Sequence, residues 1–186
     1  MKLSRTMITA AVILSILEFT VMFWKIYIPI PNMDIVMDPG ELFITLGAAY
    51  AGGIGMTAVV LARTAAALLK GDLNITLTAV SFASHITAAW GFFAIYRIYI
   101  RKEKKTIKQL LLWAFLVAVY YLFLMALFHT LSFIFMRSSY LEFFSPVTGF
   151  IPTYLIMARI YTKELLFTLL LSTTVLYILP PGKDYR

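Results

Sequence analysis

The chain has 186 residues, 61% of them hydrophobic, and a formal charge of +7; its mean hydropathy is +0.87. Soluble domains use roughly 45–50% apolar residues, so this composition excludes an ordinary soluble enzyme and defines a polytopic membrane protein embedded in the lipid bilayer. Cysteine is absent, which excludes disulfides and thiolate metal sites.

The apolar residues fall in long, almost uncharged runs at 7–24, 42–62, 73–96, 110–136, 143–158 and 165–179. Joined by short connections, they leave room for a single integral membrane domain over residues 1–186 and none for a soluble catalytic domain. The first run follows Met1-Lys2-Leu3-Ser4-Arg5. It is longer than a signal-peptide core and lacks a small-x-small cleavage site. It is therefore expected to be a retained first helix over about 7–28, ended by Pro29 and Pro31. Asn32 to Gly40 reads as an external loop with Asp38-Pro39-Gly40 as its turn.

The stretch from Glu41 to Leu69 decides the architecture. One crossing needs about 20 apolar residues; this run is too long for one helix and short for two, and Gly52, Gly53 and Gly55 interrupt it. The pattern predicts a tight hairpin of two short helices, roughly 41–52 and 54–69. Lys70-Gly71-Asp72 forms the next turn, and helices over about 74–99 and 107–136 flank a basic loop. The final stretch, 146–179, contains Pro146, Gly149, Pro152 and Lys163-Glu164. It is expected to be bent or broken, with a last helix over about 162–179.

Lysine and arginine cluster at Lys2 and Arg5, in Arg101–Lys108, and at Lys183 and Arg186, whereas the first loop carries Asp34, Asp38 and Glu41. Short basic loops stay cytoplasmic. Two passes through 41–69 put all three basic clusters on one face; a single tilted pass would put Arg101–Lys108 opposite the N-terminus. The expected architecture is all-α, with about six transmembrane helices in the cell membrane and both termini cytoplasmic. The positive charge is thus a topology signal, and no aromatics are spaced among the basic residues as nucleic-acid binding would require.

Ala58, Ala62 and Ala66 form a small-xxx-small stripe, the spacing that lets helix backbones approach closely in lipid. A weaker stripe on the first helix, Thr6, Ala10, Ala11 and Ser15, is a candidate contact face for a partner membrane protein. Glu18, Arg63, His85, His129 and Arg159 lie within apolar runs. A charge at mid-bilayer costs at least ~2.5–3.5 kcal/mol on insertion scales, so such groups turn inward and find partners. An ion pair from Glu18 to Arg63 or Arg159 is one reading, ligand contact a second and proton transfer a third. Ser81, His85 and Ala89 share one helix face, and Tyr121, Met125, His129 and Ser132 share another; both are expected to face inward. The histidines and Glu18 show no metal-ligand spacing, so no metal is assigned. Lys25 and Arg97, near helix ends, are expected to snorkel.

Two segments carry a family resemblance. The first runs from Asp38-Pro39-Gly40-Glu41 through Gly47-Ala48-Ala49-Tyr50-Ala51-Gly52-Gly53-Ile54-Gly55 to Ala62-Arg63; the second is Tyr96-Arg97-Ile98-Tyr99-Ile100-Arg101-Lys102. Together they resemble a pattern of charged external turn, helix, bend and small-residue helix. That pattern occurs in the substrate-binding S components of energy-coupling factor (ECF) vitamin transporters and in Lyt-type membrane sensor domains of histidine kinases. It covers about residues 38–105, and Ile151-Pro152 before Lys163 extends it loosely toward S components. The bend lacks the usual proline, and the first helix lacks a clean Ala-xxx-Ala coupling motif. A sensor is expected to carry a kinase or cyclase domain after its membrane part. This sequence has Pro180 to Arg186 there, so the S-component resemblance is preferred.

That resemblance implies capture of a vitamin-like small molecule from outside, with the 32–41 loop as a lid. It implies no enzymatic activity and no cofactor, and it requires a separate membrane coupling protein with two ATPase subunits. Interrupted helices at membrane depth mark transporter binding sites on physical grounds as well. The expected pocket opens outward, with Asp38, Glu41, Arg63, Ser81, His85, His129 and Arg159 as contacts. Arg63, Arg159 and Lys163 would accommodate an anionic group. The competing expectation is a Lyt-like sensor or assembly subunit acting through helix–helix contacts. A membrane enzyme built on Glu18 or His85 has no motif behind it.

Overall fold

A computed structural model describes residues 4–26, 28–29, 36–37, 39–71, 75–99, 106–135 and 150–181. Among them are six helices: α1 (Arg5–Trp24), α2 (Pro39–Tyr50), α3 (Gly52–Lys70), α4 (Ile75–Tyr99), α5 (Ile107–Phe135) and α6 (Phe150–Ile178). Between α1 and α2, β1 (Ile28–Pro29) pairs antiparallel with β2 (Val36–Met37), and β2 lies against α6. This two-residue ladder joins the expected end of the first helix to the expected loop, neither of which the sequence predicts as strand.

Four helices are long and apolar enough to cross a bilayer, over Arg5–Trp24, Gly52–Lys70, Thr78–Tyr99 and Ile107–Leu131. The other two differ from the expected spans in opposite ways. α2 has 12 residues, about 18 Å at 1.5 Å per residue, well short of a hydrocarbon core about 30 Å thick. α6 has 29 residues, and Leu165–Ile178 is a shorter apolar stretch within it.

The glycine-broken stretch folds back on itself. A Cβ placed on Gly47 would stand 3.5 Å from Val59 Cγ2 and 3.8 Å from Met56 Cβ, so α2 runs antiparallel along α3. The reversal occurs at Ala51 and Gly52. Gly52 has φ 67°, a left-handed conformation that glycine adopts without a Cβ clash. Ala51 N–H still bonds to the Gly47 carbonyl at 2.9 Å, so α2 stays helical up to the turn.

Contacts between helices fix the order of passes. Ala11 of α1 packs on Gly55 of α3, and Lys70 Nζ donates to the Phe23 carbonyl at 2.6 Å, so α1 and α3 run parallel. Trp90 and Phe93 of α4 pack near Gly53, which makes α4 antiparallel to α3. Tyr120 donates to the Thr87 carbonyl at 2.9 Å and Trp113 stacks edge-on to Tyr96, so α5 returns antiparallel to α4. The Tyr50 hydroxyl donates to the Leu179 carbonyl, bringing the end of α6 to the end of α2. Arg5, Ala51, Tyr99, Ile107 and Leu179 therefore share one end of the bundle, here the turn end; Trp24, Lys70 and Ile75 share the other, the Lys70 end.

α2 lies at the centre, in contact with α1, α3, α4 and α6, while α5 joins α4 to α6. Every residue from Ile44 to Ala49 is buried, as expected for a helix apolar on all sides. Around it Phe92, Trp113, Met56, Leu110 and Leu176 are fully enclosed. Large apolar side chains such as Ile16, Phe115, Phe123 and Leu170 point outward, which suits helices whose outer solvent is lipid.

Two boundaries depart from expectation. α1 stops at Trp24 because Lys25 turns left-handed (φ 50°), and the N–H groups of Lys25 and Ile26 bond back to Met22 and Val21. The prolines lie beyond this stop and do not cause it. The expected break in the last segment is absent: α6 runs without interruption from Phe150 to Ile178. Pro152 falls in its first turn, where backbone N–H groups have no helical partner and proline removes nothing. Ala66 of the alanine stripe is buried, Ala62 half-buried and Ala58 exposed.

Reporter fusions before Arg5, at Lys104 and after Leu179 are expected to report one side of the membrane; opposite signals from the first and last would contradict this order of passes.

Candidate functional site

Glu18 of α1, Glu41 of α2, Arg63 of α3 and His85 of α4 are dispersed in sequence and meet in space. The hairpin explains the meeting. Residues 40–41 and 63 lie nearly equal distances from the turn at Ala51–Gly52, so folding α2 onto α3 brings them level. Arg63 lies seven residues before the end of α3 and Glu18 six before the end of α1, about 9–10 Å inside the Lys70 end.

Arg63 Nη1 donates to Glu18 Oε1 at 2.9 Å, and the Glu18 side chain is fully enclosed. This is one of the two ion pairs the sequence allows. Gly40 is pressed against it: a Cβ there would overlap Arg63 Nη1 and stand 2.6 Å from Glu18 Oε1. The residue expected to serve a loop turn thus lies in the first turn of α2, and its missing side chain is what lets the pair form. The Glu18 carboxylate also stands at the N-terminal, positive end of the α2 dipole, a further favourable interaction.

Arg63 Nη2 lies 3.7 Å from Glu41 Oε1, ion-pair range but too long for a hydrogen bond. The same oxygen lies 3.1 Å from His85 Nε2, and His85 Nδ1 lies 2.6 Å from the Ser81 carbonyl oxygen. Ser81 Oγ is 3.3 Å from the same nitrogen, and Ser84 also donates to the Ser81 carbonyl. Arg63, Glu41 and His85 are each slightly exposed, at 13%, 13% and 18%, while Glu18 is at 0%. The chain of charge therefore runs from a sealed anchor, Glu18, to a partly open pair, Glu41 and His85.

Of the residues expected to contact a ligand, Glu41, Arg63, Ser81 and His85 converge here. His129 is half-buried on α5; the α4–α5 register set by Tyr120 on Thr87 puts it near the level of Thr78. Asp38 and the side chain of Arg159 lie outside the described residues. On the α1 stripe, Ala11 packs inward on Gly55, and Ala10 and Ser15 are half-buried. Among the described residues no group of three or more His, Cys, Asp and Glu is arranged to hold a metal.

Gly40 was missed as a site residue because a glycine beside Asp38 and Pro39 reads as a turn. Folding the hairpin symmetrically about Ala51–Gly52 would have placed it opposite Arg63. Arg63 was expected to receive an anionic group, but two carboxylates already oppose its charge.

Compared with known protein families, with curated proteins and with solved structures, the chain matches none. The geometry of this cluster therefore carries the functional reading.

Breaking a buried ion pair by removing one partner costs about 3–5 kcal/mol, whereas replacing both with apolar groups is often near neutral. Glu18→Ala is therefore expected to lower the unfolding temperature in detergent sharply, and Glu18→Leu with Arg63→Met to recover most of it. Gly40→Ala is expected to destabilise by about 1–3 kcal/mol through overpacking; a wild-type melting curve would show that the close approach is not required.

Proposed function

We propose that this chain is a membrane-embedded small-molecule-binding component of an uptake transporter, resembling an ECF S component. One observation carries the reading: Glu41, Arg63, Ser81 and His85 converge from three helices beside the start of a half-length helix, within about 10–15 Å of one end of the bundle. Ionisable groups at such depth are functional candidates by default, and helix starts inside a membrane domain recur at transporter sites.

Charge supports an outward-facing site. Arg5, Arg97 and Lys108 are exposed at the turn end, and the helix ends flanking Arg101–Lys105 lie there too. By the positive-inside rule the turn end is cytoplasmic and the Lys70 end external. In this reading all six helices belong to the membrane domain, with α2 a partial pass enclosed by its neighbours and both termini cytoplasmic. Ligand enters from outside, at the Lys70 end. No phosphate-binding loop occurs in the sequence, so energy comes from a separate membrane coupling protein with ATPase subunits.

Native mass spectrometry of the protein extracted in mild detergent tests the proposal. A small molecule retained by the wild type is expected to be lost or weakened at least tenfold in Ser81→Ala and His85→Gln, with unfolding temperature little changed. A wild type that retains no small molecule but holds a stable protein partner would instead favour the sensor or assembly reading.

A further inference from the structure

The His85 ring faces an acceptor at each nitrogen. Nδ1 lies 2.6 Å from the Ser81 carbonyl oxygen, a separation that two lone pairs would not tolerate, so this nitrogen carries a hydrogen and donates. Nε2 lies 3.1 Å from Glu41 Oε1. An ionised carboxylate only accepts, and an imidazole already protonated at Nδ1 has only a lone pair at Nε2. The contact therefore needs one more proton, carried by His85 as imidazolium or by Glu41 as carboxylic acid. In either form the pair is neutral overall. Beside the pair, Glu18 and Arg63 carry opposite charges and bond to each other.

Removal of that proton leaves the Glu41–His85 pair with one net negative charge, in a setting where water screens poorly. Among the described residues, the groups facing His85 from neighbouring helices are Glu41 on α2 and Arg63 on α3, with Glu18 of α1 behind Arg63; His129 of α5 stands about two turns along the bundle. Arg63 cannot supply the missing charge, being committed to Glu18 at 2.9 Å. An anionic ligand would add to the deficit. A cation restores neutrality.

Building on the small-molecule-binding reading above, we infer that the Glu41–His85 pair holds one exchangeable proton, and that the ligand carries a cationic group, such as an alkylammonium, which replaces it. The proton leaves to water, Glu41 remains as carboxylate, His85 keeps its Nδ1 hydrogen bonded to Ser81, and the ligand cation sits against the carboxylate. Charge is zero before and after. The partly exposed edge of the pair gives the cation access, while the contact of Arg63 with the fully buried Glu18 stays intact.

The chain contains two histidines, so ¹⁵N-histidine NMR of the protein in nanodiscs resolves them once His129→Gln assigns His85. Methylammonium is the probe. At fixed pH, raising its concentration is expected to turn the shared-proton His85 signal into that of a neutral ring, with about one proton released to a pH indicator per site filled. Glu41→Gln is expected to abolish both responses while the His129 signal stays unchanged. A His85 signal and proton count independent of methylammonium would overturn the inference. If native mass spectrometry still reports a retained molecule in that case, the cationic assignment fails while the binding reading stands; a methylammonium response with no retained molecule would leave the proton exchange standing and remove the transporter reading.

Discussion

Arg63 sits within an apolar bundle, where an unpaired guanidinium would be several kcal/mol out of balance. Glu18, 2.9 Å away and sealed from solvent, makes its presence possible. The neighbouring structure is shaped by that contact. α1 runs alongside α3 so that Glu18 reaches Arg63, and the first turn of α2 has glycine at the point of closest approach. Glu41, the next residue, shares the outer side of the guanidinium and turns to His85. One ion pair thus fixes the register of three helices and sets the electrostatics of a fourth.

The short α2 helix follows from the same geometry. Its start is level with Arg63, which leaves it about 10 Å short of the Lys70 end of α3. Its other end is tied by Tyr50 to the Leu179 carbonyl. In lipid, apolar surface alone does not hold helices together; close packing and polar contacts do. α2 has both: glycine and alanine along its buried length, and polar ties at each end. A partial helix enclosed by full ones places backbone ends and charged groups inside the bundle without exposing them to hydrocarbon.

Much of this was legible in the sequence. Composition alone defined a membrane protein, and the glycines at 52, 53 and 55 marked the reversal, because a helix pair in lipid needs a residue that can turn left-handed. A pair from Glu18 to Arg63 or Arg159 was among the readings open in the sequence, since each is a charge within an apolar run. Other features depend on contacts that local signals do not carry. Gly40 looks like loop chemistry until α3 is folded beside it. Pro152 reads as a helix breaker, yet its position in the first turn makes it harmless, and only the true start of α6 reveals that. The end of α1 is set by Lys25 in a left-handed conformation, which lysine seldom adopts, so the nearby prolines gave a later boundary. The double acceptor contact of His85 depends on a ring orientation that spacing does not encode.

The fold-back of α2 on α3 is what closes the cluster, and the absence of cysteine makes it directly measurable. In the double variant Gly47→Cys, Met56→Cys, the two Cβ atoms are expected to lie near 3.8 Å apart, the usual separation across a disulfide. Mild oxidation of the membrane-embedded protein should therefore join them nearly completely, read as loss of maleimide labelling and a linked peptide in the mass spectrum. A continuous helix through this stretch would hold them about 13 Å apart along its axis; persistent free thiols on both residues, in protein that is otherwise folded, would contradict the account.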